Sequence, residues 1–407
     1  MAPIGIQDIQ HWQGKRALVR EDFNVPLNED MAITDDTRIQ EALPTLRYLL
    51  SRGAKVVVMS HLGRPKGKAA DKYSIKPVAE RLGQLLSDYT VQFDATVDDR
   101  FGAAAEKVEK MQNGSLLLLE NMRFYPGEEA NDPAFAKALA QLGDVYVNDA
   151  FGAAHRAHAS TEGVGHCLQP RVAGLLMEKE IKALGAILNT KESVTAIIGG
   201  SKISTKITVL ENLLPKVQHL IIGGGMLYTF LKAQGKAIGN SLVEDEYVDM
   251  AAKLLKQGGD KILLASDVII ADRFAADAQT KTVSADAIPD GWMGLDVGPE
   301  SRSQIEDLLK QSPWVLWNGP LGVFEFPAFA AGTMQVAQTL AELTEKGQCH
   351  SILGGGDTVA AIEQFGLDPK RFTHVSTGGG ASLEFLEGKT LPGIAILDEQ
   401  KTPITSH

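Results

Sequence analysis

His350-Ser-Ile-Leu-Gly-Gly-Gly-Asp-Thr-Val-Ala-Ala-Ile-Glu363 is the stretch on which the reading of this chain turns. A short apolar run, Ser351 to Leu353, meets three glycines, Gly354, Gly355 and Gly356. Asp357 and Thr358 follow, and then a tract with Val359, Ile362 and Phe365 at helical spacing. The pattern predicts a buried strand, a tight turn and a helix start. Glycine lets the backbone come close to a ligand, and the free N–H groups of a first helical turn attract phosphate. Asp357 stands where an N-cap or a metal ligand would stand.

The form recurs in Ala196-Ile-Ile-Gly-Gly-Ser-Lys202, Leu220-Ile-Ile-Gly-Gly-Gly225 and His374-Val-Ser-Thr-Gly-Gly-Gly380, all in the second half of the chain. In an open parallel α/β sheet the strand carboxyl ends share one edge, and ligands bind there. One glycine turn is explained as well by tight strand–helix packing as by a ligand. Four along one edge point to a phosphate-rich ligand such as a nucleotide.

A length of 407 residues suits two domains rather than one core. Lys and Arg total 40 against 51 Asp and Glu, a net charge of −11 that argues against general nucleic-acid binding. A positive cluster in such a chain therefore suggests a specific anionic ligand. Cys167 and Cys349 have no metal-finger or CxxC spacing, which fits a reducing compartment. No signal-peptide pattern and no apolar run of the ~20 residues a membrane span needs is present, so the cytosol is expected.

The first half alternates strand and helix signals. Apolar runs at Ala17 to Arg20, Lys55 to Ser60, Leu116 to Leu119 and Val145 to Val147 predict strands, and each runs into polar residues. Residues 36–52 read as a helix interrupted by Pro44, 74–86 as a helix, and 132–142 as a helix with Pro133 at its first position. Alternation of this kind implies βαβ units and a parallel sheet. Its edge would gather Asp22, Asn24, His61, Arg64, Arg123, His155, Arg156 and His158, with Arg38 in reach from the first helix. An amphipathic helix over 175–188 is expected to connect the halves, with the boundary near residue 172. In the second half, strands are expected at 194–198, 220–222, 262–264, 315–317, 352–353 and Val375, and helices at 301–311 and 329–343.

Three constellations carry chemistry. Guanidinium forks bind carboxylate and phosphate bidentately and stay charged, so Arg64, Arg123 and Arg156, each just after a strand, suit a small multiply anionic substrate. Lys202 and Lys206 follow a glycine turn four residues apart, one helical turn. The G-x-x-x-x-G-K-[ST] spacing of a P-loop is absent. Trp317-Asn318-Gly319-Pro320 leads through a Gly/Pro loop to Glu325, a carboxylate suited to sugar hydroxyls. No G-x-G-x-x-G fingerprint, G-x-S-x-G elbow or protein-kinase motif set is found. Asp357 is the candidate to hold a phosphate-bound magnesium ion.

Taken together, these motifs resemble the phosphoglycerate kinase family, over Arg20 to about Gly393. The resemblance rests on Arg20-Glu-Asp-Phe-Asn-Val-Pro26, Ser60-His-Leu-Gly-Arg-Pro65, Glu120-Asn-Met-Arg-Phe124, Asn148-Asp-Ala-Phe-Gly152 with His155-Arg156-Ala-His158, Gly199-Gly-Ser-Lys202, Trp317-Asn-Gly-Pro320, Gly354-Gly-Gly-Asp357 and Ser376-Thr-Gly-Gly-Gly-Ala381. It implies two Rossmann-like α/β domains with parallel sheets, facing across a cleft and joined by the connector helix. Residues 1–172 would bind 3-phosphoglycerate or 1,3-bisphosphoglycerate through Asp22, Phe23, Asn24, Arg38, His61, Leu62, Gly63, Arg64, Arg123 and Arg156. Residues 173–387 would bind Mg-ADP or Mg-ATP through Lys202, Lys206, Asn318, Glu325, Gly354, Gly355, Gly356, Asp357 and Thr358, with the Mg2+ on Asp357. Residues 388–407 would cross back to the first domain.

The resemblance further implies a cytoplasmic, monomeric, hinge-bending enzyme of glycolysis that binds neither nucleic acid nor membrane. Arg38 and Lys202, with backbone groups of Gly378 and Gly379, would stabilise the phosphoryl group in transfer. Glu21 stands where many members are apolar, and Ser201 and Thr205 replace a frequent Ala and Asp. Two rival classes share the α/β reading. A nicotinamide-dependent oxidoreductase would need the missing fingerprint, and a non-catalytic nucleotide-binding protein would not need the arginines of the first half.

Overall fold

The computed structural model describes residues 3–399. The chain divides into two compact units. One runs up to Lys182 and takes back the chain from Thr390 onward; the other is Ala183–Lys389.

The first unit is built on a six-stranded, all-parallel sheet. Across it the strands run Thr90–Asp94, Ser115–Leu119, Lys55–Met59, Arg16–Arg20, Val145–Asn148 and Arg171–Ala173. Ser115–Leu119 is buried at every residue, as expected of a parallel strand covered on both faces. Ile39, Leu46, Leu49, Val78 and Leu82 from two flanking helices pack with Val19, Val56, Val58 and Leu118 of the sheet. Chain order steps outward from Arg16–Arg20 to one side, then returns to build the other. The switch point therefore lies between Arg16–Arg20 and Val145–Asn148, whose last residues pair as Arg20↔Asn148. The returning segment packs here too: Asn148 Nδ2 donates to Gly393 O at 2.8 Å, and Arg171 pairs with Asp398.

The Thr37–Ser51 helix is continuous, in contrast to the expected interruption at Pro44. Proline removes one N–H and frees one carbonyl. Pro44 and Gln40 both lie on the exposed face, where water can satisfy that carbonyl.

The second unit repeats the plan. Its strands run Ile262–Leu263, His219–Ile222, Val194–Ile198, Trp314–Asn318, His350–Gly354 and His374–Val375 across a parallel sheet. A three-stranded antiparallel sheet, Thr280–Ser284, Asp267–Ala271 and Met293–Val297, is added to it, as is a two-stranded pairing of Ala237–Ile238 with Ala287–Ile288. The switch point lies between Val194–Ile198 and Trp314–Asn318, which end in the pair Ile198↔Asn318. Beyond that pair the backbones of Gly199 and Gly319 press together. A Cβ on Gly199 would lie 2.0 Å from Pro320 O, and one on Gly319 would lie 2.2 Å from Gly199 O.

This contact predicts a large effect from one methyl group. Gly199→Ala forces main chain apart and should cost about 1–3 kcal/mol or more. Urea unfolding measures it, and an unchanged midpoint would show that the junction yields freely.

Candidate functional site

Three loops of the first unit are laced together at the strand ends. The Phe23 N–H donates to Ser60 Oγ at 2.8 Å, and the Gly63 N–H donates to Asn24 Oδ1 at 2.8 Å. Asn121 Oδ1 accepts the N–H groups of Leu62 (3.2 Å) and Arg123 (3.0 Å), while its Nδ2 donates to Leu62 O at 2.7 Å. Gly63 has φ +60°, and a Cβ there would strike the Tyr73 ring at 2.5 Å. Phe23 and Leu62 are buried with side chains in the core, so only their backbones can face a ligand. Asp22 and Arg38 form an ion pair at 2.7 Å, and Arg123 Nη1 donates to Gly63 O at 2.9 Å. Arg156 is half-buried, with Nε 3.3 Å from His155 Nε2, and Arg64 is exposed.

Behind these residues lies a fully buried cation, Arg20, which sequence reading passed over as a site residue. Its Nε donates to Ser160 Oγ at 2.8 Å, its Nη1 to Glu21 O, and its Nη2 meets His61 Nδ1 at 3.0 Å. Ser160 in turn is held by the buried Glu128, through its N–H at 2.9 Å and its hydroxyl at 2.5 Å. A guanidinium has no acceptor to offer. His61 Nδ1 must therefore accept, which leaves the imidazole proton on Nε2. Burial, with repulsion from Arg20, Arg123 and Arg38 outweighing the attraction of Asp22, holds His61 well below the usual histidine range. His61 is thus a neutral donor. Burial tends to raise Asp22, but the charges of Arg38 and Arg20 and the Asn24 N–H prevail and hold it below the ordinary carboxyl range.

Arg123 shows what the pocket lacks. Burial, then repulsion by Arg20 and Arg156, push it down to about 10. Its Nε is buried without a hydrogen bond, and Glu129 Oε1 lies no closer than 3.7 Å. A desolvated cation short of partners among like charges is poised for an anion. The place of Arg20 as the last residue of a strand and the first of the Arg20–Pro26 motif was the sequence signal that could have found it.

In the second unit a cavity of about 540 Å³ opens over the strand ends. Gly200, Gly224 and Gly225 form part of its floor, and Pro320 to Val323 form a wall. Glu325 and Asp357 both line it, and both are exposed. Gly355, at φ +91°, caps the Gly356–Gln364 helix, so Asp357 lies in the first turn and is not the N-cap. Thr358 is turned inward, its hydroxyl accepting the Gly319 N–H at 2.7 Å.

Asn318 is buried, with Oδ1 accepting from Lys206 Nζ at 2.7 Å and Nδ2 without a partner. That Nδ2 lies over the turn, 3.2 Å from where a Cβ on Gly355 would be. Burial lowers Lys206, against the pull of Asp357 and Glu387. Lys202 is exposed and precedes a 3-10 turn, Ile203–Thr205, so the two lysines do not share one α-helical face. The Gly378 N–H bonds Ser376 Oγ at 3.1 Å, and Gly379, at φ +51°, caps the Gly380–Leu386 helix.

Sequence reading missed the apolar side of this cavity. Leu242 and Phe274 line it while remaining exposed at 49% and 61%. Both lie in loops with no periodicity to mark them. Phe274 packs on Phe326 with ring centroids 5.3 Å apart. Aromatic and aliphatic surface beside phosphate-type glycine turns suits a flat heterocyclic base.

A cationic cluster in one unit and, in the other, a cavity with glycine turns and an apolar side suit the class that the comparisons give, an α/β phosphotransferase. A family model described as phosphoglycerate kinase matches residues 6–389. Phosphoglycerate kinase of Picosynechococcus is 57% identical over 387 residues, covering 95% of this chain and 96% of that one. The cytosolic phosphoglycerate kinase of Triticum aestivum is 56% identical over 392 residues, with the same coverage. Among solved structures, phosphoglycerate kinase of Coxiella burnetii aligns with a TM-score of 0.88 at 41% identity, over 97% of this chain and 98% of that one. That of Pyrococcus horikoshii aligns at 0.80 and 29%, with the same coverage. The chain belongs to the phosphoglycerate kinase family. The oxidoreductase and non-catalytic readings are set aside.

The hydrogen-bond logic at His61 predicts its tautomer. Nitrogen-15 NMR of the free protein should show a neutral ring protonated at Nε2 through pH 6, below the ordinary midpoint of about 6.5. Because the folded protein resists a proton that the unfolded chain accepts, this residue makes stability fall as pH drops below that midpoint. An imidazolium at neutral pH would overturn the assignment.

Proposed function

We propose that the chain catalyses reversible in-line phosphoryl transfer between 1,3-bisphosphoglycerate and Mg-ADP, giving 3-phosphoglycerate and ATP. The observation that carries this is the starved cationic pocket around Arg123. It asks for a small ligand with several negative charges, and family membership names one. Arg64, Arg123 and Arg156 grip the stationary phosphate and carboxylate. His61 donates from Nε2, Asn24 holds the Gly63 loop, and Asp22 orients Arg38.

The nucleotide occupies the second unit's cavity, with its base toward Leu242 and Phe274 and Glu325 near the ribose. Its phosphates lie toward Lys202, Lys206, Asn318 and the Gly354–Gly356 turn. Asp357 fits a magnesium ion that arrives with the nucleotide. It offers an exposed carboxylate on the cavity wall, and magnesium takes only one or two carboxylates beside phosphate oxygens. Bound there, the ion neutralises phosphate charge.

Transfer needs no covalent enzyme intermediate, only position and charge. The acyl-phosphate bond breaks as an ADP oxygen bonds the phosphorus. Arg38, Lys202 and the Gly379 N–H meet the charge on the moving group, joined by the Gly378 N–H once it leaves Ser376 Oγ. The substrate carboxylate that leaves stays on the arginines. One chain supplies every residue of both sets, which supports a monomer. A cytosolic location follows the naming of the wheat relative, although chloroplastic forms exist in Volvox and Chlamydomonas. No helix among the described residues is long and apolar enough to cross a membrane.

A coupled assay with ATP and 3-phosphoglycerate tests the reading directly. Arg38→Ala should lower kcat by roughly 10²–10³ with a smaller change in substrate KM, as for loss of an oxyanion donor. Arg38→Lys should rescue little, because ammonium lacks the planar fork. A variant that keeps turnover within about tenfold and only raises KM would make Arg38 one more clamp.

Asp357→Ala separates the two sites. Calorimetry should show weaker Mg-nucleotide binding with 3-phosphoglycerate binding nearly intact. Equal loss of both would make Asp357 structural.

A further inference from the structure

At the switch point of the first unit, the residues that follow the pair Arg20↔Asn148 are both acids, Glu21 and Asp149. Both are fully buried. Asp149 Oδ1 accepts the N–H groups of Leu176 (2.9 Å) and Met177 (3.1 Å), in the first turn of the Leu175–Asn189 helix. The chain allows this because residue 174 is glycine, where a Cβ would lie 2.1 Å from that oxygen. The neighbouring Leu175 N–H is taken by Thr45 Oγ1 at 2.9 Å.

The remaining oxygens have nothing else. Asp149 Oδ2 and both carboxyl oxygens of Glu21 are buried, and among the described residues none of the three accepts a hydrogen bond from another group. Among the described residues no ion pair reaches either acid. The cation nearest Glu21, Arg20, spends its guanidinium on Ser160, His61 and the Glu21 carbonyl instead. Asp22, on the other side, is itself negative. Glu178 is the further acid that feels Asp149, and Asp8 stands beside it.

Two adjacent buried carboxylates cannot both be ionised in such a place. Asp149 is the one that keeps its charge, because two N–H groups at a helix N-terminus stabilise an anion. Glu21 has no donor and no cation, and it is the one that keeps a proton.

We propose that Glu21 is a neutral acid that donates its O–H to Asp149, and that this pair positions the Asp22–Asn24 loop against the first turn of the Leu175–Asn189 helix. Electrostatics agree in direction. Burial first, then the charge of Asp149, holds Glu21 well above the ordinary carboxyl range. Burial also raises Asp149, against the Thr45 hydroxyl, the Met177 and Leu176 N–H groups and the hydrogen bond to Glu21. Glu21 touches no substrate in this arrangement. It acts through its neighbours, since the loop that it ties down carries Asn24, which holds Gly63, whose carbonyl in turn holds the substrate clamp Arg123.

The positioning half rests on reading Asp22–Asn24 as the substrate loop; the proton does not. Infrared difference spectroscopy, wild type minus Glu21→Gln at neutral pH, should show the carbonyl band of a protonated carboxylic acid. Other buried acids with raised midpoints, Glu128 and Asp296, are common to both proteins and cancel. Absence of the band overturns the proposal.

Kinetics then test the positioning. Glu21→Ala removes the donor and should raise KM for 3-phosphoglycerate by about fivefold, the worth of a buried hydrogen bond. kcat and nucleotide KM should stay within about twofold. Glu21→Gln keeps a donor for Asp149 and should restore the wild-type KM. Equal KM values in the Ala and Gln variants would refute the positioning role. A wild type with no response to 3-phosphoglycerate would instead refute the functional reading, with the infrared result unaffected.

Discussion

Each parallel sheet has one place where two neighbouring strands send their chains in opposite directions, and the ends of those strands set the character of each site. In the first unit the residues just beyond the paired ends are Glu21 and Asp149; in the second they are Gly199 and Gly319. The first junction is filled with two acidic side chains, both fully buried. The second is closed by backbone against backbone. An acidic filling permits a polar platform for Arg20, Asp22 and His61. A closed backbone junction keeps bulk out of the floor, and a cavity of about 540 Å³ opens nearby. The common topology gives a crevice at each switch point, and local chemistry makes one fit for a compact polyanion and the other for a base with a phosphate tail.

The positive pocket exists within a chain of net charge −11. It survives because its cations are not equally solvated. Arg20 is wholly buried yet hydrogen-bonded at Nε, Nη1 and Nη2. That fixed charge adds to burial in keeping His61 neutral and in pushing Arg123 down to about 10. The strain is electrostatic, and it falls on the atoms that would face a ligand. Burying a charge without a partner is costly, so an anion that pairs with Arg123 stabilises the folded protein by mass action as well.

Much of this was legible in the sequence, for a physical reason. Strands buried on both faces read as continuous apolar runs, and 116–119 and 194–198 stand out for that cause. Glycine and proline mark the turns that follow. Thr90–Asp94 was missed because it is an edge strand whose residues alternate between exposed and half-buried before Asp94. Thr280–Ser284 is almost wholly exposed and has no apolar side to betray it. Pro44 misled because proline was read as a breaker without knowing which way its face of the helix points. In the sites, motifs mark positions in the chain but not the contacts behind them. Arg20 and Glu128 act through three-dimensional neighbours more than 30 residues away in the chain, and Phe274 lies in a loop whose partner, Phe326, is distant in sequence.

The second unit carries a buried acid of its own under the cavity wall. Asp296 accepts the Gly332 N–H at 2.9 Å and the Val297 N–H at 2.8 Å, and burial raises it to about 7. Gly322 and Gly332 crowd it so closely that a Cβ on either would lie within 2.5 Å of its Oδ1. Its position fixes Gly322, a residue of the cavity wall. The sign of its linkage is opposite to that of His61. The folded protein holds a proton on Asp296 that the unfolded chain gives up near pH 4, so its contribution to stability declines from there to about 7. Over the window where His61 makes stability rise with pH, Asp296 makes it fall. Two sites of opposite chemistry, one short of anions and one crowded with a buried acid, therefore oppose each other's pH dependence over that window.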